Sequence, residues 1–360
     1  MKVAQVCPRY HPYIGGVETH VRELSERLVE RGYEVDVLTT DPTGTLPKEE
    51  EINGVTVRRF RSWAPNEAYY FSRSLKSHLA RYSRNYNIVH AHSYHAFPAL
   101  YAAQTKCLNR LVFTPHYHGT GHTFFRRALH IPYRCVARAV FDNADKTICV
   151  SNFEKHLVMR DFGLSNEDVA VIPNGIDLKE FANLKKREND HKVILYVGRL
   201  EKYKGIDYLI RALHWLGNEF ILEIVGSGPH REDLLRLIDN LGVKDRVKFF
   251  QNLPRDELLQ KYADADVFAL LSEHEAYGIS VAEALAAGTP CIVANTSALS
   301  EWIDGENCYG VGYPINVEEL AHLISSVAGK KIDALTLQLP TWDVCAEKII
   351  EIYDRLTRDT

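Results

Sequence analysis

The sequence predicts an α/β protein of two doubly wound domains, each a parallel sheet covered by helices on both faces. Three observations predict it. Short apolar runs alternate with helical patterns from end to end. The alternation begins afresh after a polar stretch at 184–191. The chain has 360 residues, which is long for one core.

In the first half the strand candidates are 3–7, 35–39, 55–60, 88–91, 111–114, 147–150 and 169–172. The first helix carries an apolar stripe of Val17, Val21, Leu24 and Leu28, and Gly32 ends it. The run Leu-Lys-Lys-Arg-Glu-Asn-Asp-His at 184–191 reads as the linker. The second half offers strands at 193–197, 221–225, 247–250, 267–271, 291–294 and 309–312. Continuous apolar strands of this kind belong to parallel sheets buried on both faces. A last helix at 344–356 has an apolar face of Ile349, Ile350, Tyr353 and Leu356, with Trp342 ahead of it. The expected division is therefore 1–183, 192–340 and a C-terminal helix at 341–360 that is a candidate to pack back on the first domain. Ligands of open parallel sheets bind beyond the carboxyl ends of the strands, so two such ends facing across a cleft would make an active site.

Composition narrows the class. Hydrophobic content of 46% and charged content of 25% are ordinary for a soluble globular protein. A net charge of −4, with no zinc-knuckle or basic-helix signature, gives no reason to expect nucleic acid. The seven cysteines are scattered and form no Cys-x-x-Cys pair, which suits reduced core thiols of a cytoplasmic protein. No stretch approaches the roughly 20 apolar residues of a membrane span. The N-terminal apolar run is too short for a signal peptide and reads as a first strand.

Glu275 and Glu283 carry the most informative spacing. They flank Gly278, Ile279 and Ser280, where a buried strand turns into a helix. The start of a helix offers unpaired backbone N–H groups and a positive dipole end, which suits phosphate. A carboxylate accepts two hydrogen bonds at once, which suits vicinal hydroxyls. A phosphate seat between two such carboxylates is what a nucleotide-sugar needs. Gly15 and Gly16 join the first strand to the first helix, where paired glycines either admit a ligand or simply shape a turn. Arg199 and Lys204 follow the first strand of the second half. They suit a diphosphate leaving group whose charge grows as the bond breaks, against the plainer reading of a solvated basic loop. Gly226-Ser227-Gly228 is an incomplete dinucleotide fingerprint, as is the Gly15-Gly16 loop, which counts against a dehydrogenase.

His116 and His118 follow a strand of the first half and could bond a sugar hydroxyl or steer a proton. With His90 and His92 they could also be read as a metal site, but no acidic ligand is spaced to help, so no metal is expected. The segment 124–138 interleaves aromatics with Arg126, Arg127, Arg134 and Arg138. That pattern suits an anionic membrane face or a lipid-phosphate acceptor, or else a solvated helix face over core aromatics with Pro132 interrupting the helix.

Taken in order, these motifs resemble the family 4 retaining glycosyltransferases (glycosyl transferases group 1) of GT-B fold, with two Rossmann-like domains. The matching stretches are Gly15-Gly16-Val17-Glu18, Val150-Ser151, Ile172-Pro173-Asn174-Gly175-Ile176-Asp177, Val197-Gly198-Arg199-Leu200 with Lys204-Gly205, Val225-Gly226-Ser227-Gly228-Pro229, and Glu275 through Gly288-Thr289-Pro290. The resemblance implies transfer of a hexose from a UDP- or GDP-sugar to a hydroxyl of a glycan, lipid-linked or small-molecule acceptor. It implies that Glu275 binds donor sugar hydroxyls, Glu283 the ribose, and Arg199 and Lys204 the diphosphate without a metal cofactor. Backbone at Gly278, Ile279 and Ser280 completes the phosphate seat, with Gly15 and Gly16 approaching from the other domain. His116 matches the active-site histidine, with His118 as the alternative. The one departure is Asn252, where glycine is usual. Two rival readings share these motifs: a nucleotide-sugar hydrolase or epimerase, and a non-catalytic nucleotide-sugar-binding protein. A peripheral contact with the inner membrane face is the expectation attached to 124–138.

Overall fold

The structure is a computed structural model that describes residues 1–65, 68–119 and 124–358, without the side chains of 124–132, 135 and 335. It divides into two compact units, Met1–Gly175 with Pro340–Thr360, and Ile176–Leu339.

The strands of the first unit are β1 (Lys2–Val6), β2 (Glu34–Asp41), β3 (Glu49–Ile52), β4 (Val55–Arg61), β5 (Ile88–His92), β6 (Arg110–Thr114), β7 (Lys146–Cys149) and β8 (Val169–Val171). They form one sheet in the order β3-β4-β2-β1-β5-β6-β7-β8, parallel throughout except for β3 against β4. The helices between them are α1 (Gly16–Glu30), α2 (Arg73–Tyr82), α3 (Phe97–Gln104), α4 (Phe124–Asn143) and α5 (Asn152–Phe162). Side chains alternate across the sheet with the period of a strand. In β1, Val3 packs with Val21, Leu24 and Leu28 of α1, whereas Ala4 and Val6 pack on the opposite face with Leu75, Leu79 and Phe113.

The second unit repeats the pattern: β9 (Lys192–Val197), α6 (Ile206–Ala212), β10 (Phe220–Val225), α7 (Arg231–Leu241), β11 (Val247–Phe250), α8 (Arg255–Asp264), β12 (Val267–Leu270), α9 (Ile279–Ala286), β13 (Cys291–Ala294), β14 (Cys308–Val311) and α10 (Val317–Val327). Its sheet runs β11-β10-β9-β12-β13-β14, all parallel. The order reverses between β9 and β12, the kind of switch point beyond which open parallel sheets bind ligands.

The final helix, α11 (Trp342–Arg358), lies on the first unit. Trp342, Cys345, Ala346, Ile349, Ile352 and Tyr353 are buried against the α1 face of the sheet. Trp342 is its first residue and not a lead-in.

Several sequence expectations need correcting. The break between units falls after Gly175, not at 184–191. That polar stretch is tied within the second unit: Lys186 pairs with Asp266 at 2.7 Å, and the Arg187 N–H donates to Asp264. Helix α4 runs through residue 132. A proline inside a helix costs about 3 kcal/mol, and burial of Tyr133, Ala137, Val140 and Phe141 in the turns that follow holds the helix in place. Strand β3 was hidden in the sequence by its three successive glutamates. It pairs through Glu49 with Arg58 and through Glu50 with Arg59 across the sheet edge.

Candidate active site

Lys204 and Glu275 come from loops that follow β9 and β12, neighbouring strands at the switch point of the second sheet. The Lys204 ammonium lies 2.5 Å from Oε1 of Glu275, with side chains only 13% and 17% exposed. Burial works against the Lys204 charge, but Glu275 and Tyr203 more than reverse it and hold the ammonium above its ordinary range. Glu275 is fixed further: its Oε1 accepts from Ser272 Oγ at 3.0 Å, and its backbone N–H donates to Ser297 Oγ at 3.2 Å. The chain then reaches Gly278, whose φ of 96° is left-handed and favours glycine. A Cβ there would also stand 3.0 Å from Leu299. Ile279 and Ser280 open α9 directly after it, and their backbone N–H groups belong to the turn that has no intrahelical acceptor.

Arg199 lies in the same loop as Lys204 but nearer the surface, with its side chain 50% exposed and Glu201 3.3 Å away. Its carbonyl accepts from the hydroxyl of fully buried Tyr196, which pins the loop to β9. The Gly226–Gly228 turn is explained by packing. A Cβ on Gly226 would fall 1.9 Å from Gly198 O, and one on Gly228 would fall 2.4 Å from Leu200 O. These glycines let the loops after β9 and β10 touch backbone to backbone.

Glu283 does not join Glu275. Its Oε1 lies 2.5 Å from Arg255, and its Oε2 accepts from Tyr262 at 2.8 Å. Arg255 also bonds Glu180 at 2.6 Å. Sequence reasoning missed Arg255, Tyr262 and Glu180, because no local pattern links residues so far apart. Asn252, the departure noted above, has φ 55°. The position needs a left-handed backbone, which asparagine tolerates better than most residues.

In the first unit, Gly16 begins α1 and Gly15 precedes it. The end of that turn already holds charge, since buried Glu18 in the first turn pairs with Arg9 at 2.9 Å. His116 follows β6 with φ 49°, a strained conformation for a residue with a Cβ. Its loop is clamped by the next residue, whose Tyr117 N–H donates to the Glu154 carboxylate. Glu154 also accepts from Val150 N at 2.6 Å and donates its own N–H to Ser151 Oγ at 3.1 Å. The signal for Glu154 was present as Ser151-x-x-Glu154, a capping pattern at the start of α5. His118 lies elsewhere, with its ring 5.2 Å from that of His95.

Under α1 and α11 the face of the sheet turns polar at its carboxyl end. His92 Nε2 lies 2.7 Å from Gln5 Oε1, Gln5 Nε2 donates to Tyr353 OH at 3.3 Å, Tyr353 OH lies 2.7 Å from His90 Nδ1, and His90 Nε2 lies 2.8 Å from Thr114 Oγ1. His20 of α1 joins this buried group, its Nδ1 2.7 Å from Asn174 Oδ1. Burial pushes the His20 imidazole down to about 4. Burial, then neighbouring imidazoles, hold His90, His92 and His116 well below the ordinary range. All four are neutral near pH 7.

The basic segment divides. Arg134 is drawn to α5, donating to Asp161 O at 3.0 Å, and Arg138 lies 3.8 Å from Asp142. The side chains of Phe124, Phe125, Arg126 and Arg127 lie outside the described residues. Among the described residues no helix is long and apolar enough to cross a membrane. Cys7, Cys149, Cys291, Cys308 and Cys345 are buried and Cys107 is exposed.

Two parallel-sheet α/β units, each wound as an open doubly covered sheet, make up the GT-B fold. The chain matches the family described as Glycosyltransferase Family 4 over residues 14–180 and that described as Glycosyl transferases group 1 over 179–334. It is 33% identical to an uncharacterized glycosyltransferase of Methanocaldococcus jannaschii, with 98% of each chain covered. It is 25% identical to the GPI3 subunit of the Saccharomyces cerevisiae phosphatidylinositol N-acetylglucosaminyltransferase, covering 99% of this chain and 83% of that one. Among solved structures, the Anabaena protein HepE in complex with UDP-glucose superposes with a TM-score of 0.80 at 20% identity, covering 99% of this chain and all of the other. The chain belongs to the family 4, group 1 glycosyltransferases.

Proposed function

We propose that the protein transfers a hexose from a UDP-sugar to an acceptor hydroxyl with retention of anomeric configuration. The observation that carries this reading is the contact of Lys204 with Glu275 in front of α9. A buried ammonium held by one carboxylate, beside a helix start, is a ready seat for a diphosphate and the sugar attached to it. In the proposed reaction Arg199 and Lys204 take up the charge that grows on the leaving diphosphate, so that step calls on no metal. Glu275 positions sugar hydroxyls and is not a covalent nucleophile. The diphosphate oxygen takes the acceptor proton on the same face, through an oxocarbenium-like transition state. Glu283, held by Arg255 and Tyr262, receives the ribose.

A UDP-sugar is the donor suggested by the HepE complex with UDP-glucose, and GDP-sugars form the comparison arm. The phosphatidylinositol-directed relative makes an inositol-containing lipid the first acceptor to test, with glycans and small polyols beside it. The experiment is turnover of UDP-glucose, UDP-N-acetylglucosamine and GDP-mannose against that panel, with the product anomer assigned by NMR. Expected is an acceptor-dependent release of UDP and an α-linked product from an α-donor. An inverted product, or UDP release indifferent to every acceptor, overturns the reading in favour of another mechanism or a hydrolase.

A further inference from the structure

A short helix after β13, Ser297–Trp302, lies against the loop that carries Glu275 and Gly278. The Glu275 N–H donates to Ser297 Oγ at 3.2 Å, and the Ala298 N–H donates back to the Glu275 carbonyl at 3.3 Å. Consecutive residues of one element thus take both backbone groups of Glu275. Further along, Trp302 Nε1 donates to the Tyr277 carbonyl at 2.8 Å, and a Cβ on Gly278 would stand 3.0 Å from Leu299.

Ser297 holds its place against backbone strain. Its φ of 52° is left-handed, and among the described residues of the second unit only Asn252 shares that conformation without being glycine. Asparagine tolerates it better than most residues, and serine gains less. Glycine would serve the backbone there with less strain, so what the serine adds is its hydroxyl. The residue is 7% exposed, and its oxygen accepts the Glu275 N–H. Strained residues of this kind persist where the surroundings hold them, and they gather at functional sites. The Glu275 carboxylate is gripped separately, by Lys204 and by Ser272 Oγ. The aim of that carboxylate therefore depends on two holds, one on its oxygens and one on its backbone.

We propose that Ser297 is a positioning residue for sugar transfer, whose hydroxyl fixes the Glu275 backbone and through it the direction of the carboxylate. Trp302 serves the other half of the loop: its hold on the Tyr277 carbonyl sets Gly278 and the start of α9, where the diphosphate is seated. The inference rests on the donor reading above and adds to it two residues that act through others. A misplacement of about 1 Å at a reacting group costs on the order of 100-fold in rate. Loosening Glu275 should therefore appear in kcat, and loosening Gly278 in the affinity for the nucleotide.

The test separates position from stability. Ser297→Gly and Ser297→Ala both lose the hydroxyl, but glycine relieves the left-handed strain and alanine keeps it. Urea midpoints should differ, with the glycine variant near wild type and the alanine variant below it. The kcat for UDP-glucose should nonetheless fall alike in both, by about 10- to 100-fold. The Kd for UDP, which lacks the sugar, should stay within roughly twofold of wild type in Ser297→Gly. Trp302→Phe, which keeps a ring but not the N–H, should weaken UDP binding about 3- to 10-fold. In a Glu275→Gln background, Ser297→Gly should lower kcat no further. Should the alanine variant fail to fold, the glycine variant and this double variant decide the matter. A glycine variant as active as wild type, or a further loss in the Glu275→Gln background, overturns the role of Ser297, and unchanged UDP affinity in Trp302→Phe overturns that of Trp302. Wild-type turnover by Glu275→Gln itself would instead overturn the donor reading, and this inference with it.

Discussion

A Cβ placed on Gly175 would fall 2.1 Å from the backbone nitrogen of Trp342, so the residue at which the chain leaves the first unit touches the segment by which it returns. The obstacle is backbone, not the end of a flexible side chain. Gly175→Ala therefore has to push the start of α11 outward, where Trp342 is buried and packs edge-on to His20. Overpacking of this kind costs about 1–3 kcal/mol. Urea unfolding should show a lower midpoint at unchanged slope, and a variant as stable as the wild type would show that the α11 junction yields freely.

Lys204 and Glu275 offer a test of pairing against catalysis. Removing one member leaves the other charge largely buried, so Lys204→Met and Glu275→Gln should each cost more stability than the double variant predicts by addition. Both single variants and the double variant should lose about 100-fold or more in kcat for donor turnover, because restored neutrality does not restore the groups that meet the diphosphate and the sugar. Activity in the double variant close to wild type would remove both residues from the reaction.

The fold was largely legible because parallel strands buried on both faces are continuous apolar runs, as in β9 and β12, and because Val17, Val21, Leu24 and Leu28 repeat at helical spacing. What escaped was whatever depends on partners distant in sequence. Strand β3 reads as a charged loop until Arg58 and Arg59 stand opposite its glutamates. His20 sits on the apolar stripe of α1 and gains its meaning only from Asn174 and His92. The polar run 184–191 looked like a linker because composition cannot show that Asp264 and Asp266 wait to bind it. Conversely the placement of Arg199, Lys204, Glu275 and Gly278 after strand ends and at a helix start was legible, because apolar runs and a glycine turn mark it in the local sequence.

Arg255 should act on donor binding through Glu283. It holds one oxygen of Glu283 while Tyr262 holds the other. Arg255→Met leaves Glu283 free to turn, and its effect should fall on donor affinity. The expectation is a KM for donor raised about 10-fold with kcat within roughly twofold. Arg255→Lys, which keeps the charge but not the fork shared with Glu180, should recover only part of the loss. A fall in kcat with unchanged KM would place Arg255 in the chemistry and not behind the ribose.

Glu154 gives the stability a definite pH dependence. Burial pushes its carboxyl up to about 8, against the Val150 and Tyr117 N–H groups that pull it down. An unfolded glutamate titrates near 4.3. Between these values the folded chain holds a proton that the unfolded chain has released, so unfolding free energy falls as pH rises. The contribution is complete below about 4.3 and lost as pH passes through about 8. Glu154→Gln removes this titration but replaces one acceptor with an amide NH2 facing a backbone N–H, at a cost of about 1–3 kcal/mol. Chemical denaturation in chelator from pH 6 to 9 should show wild-type stability declining relative to Glu154→Gln, with the difference levelling off above about pH 8. A difference independent of pH over that span would mean that the carboxylate stays ionised, clamped by its two N–H donors.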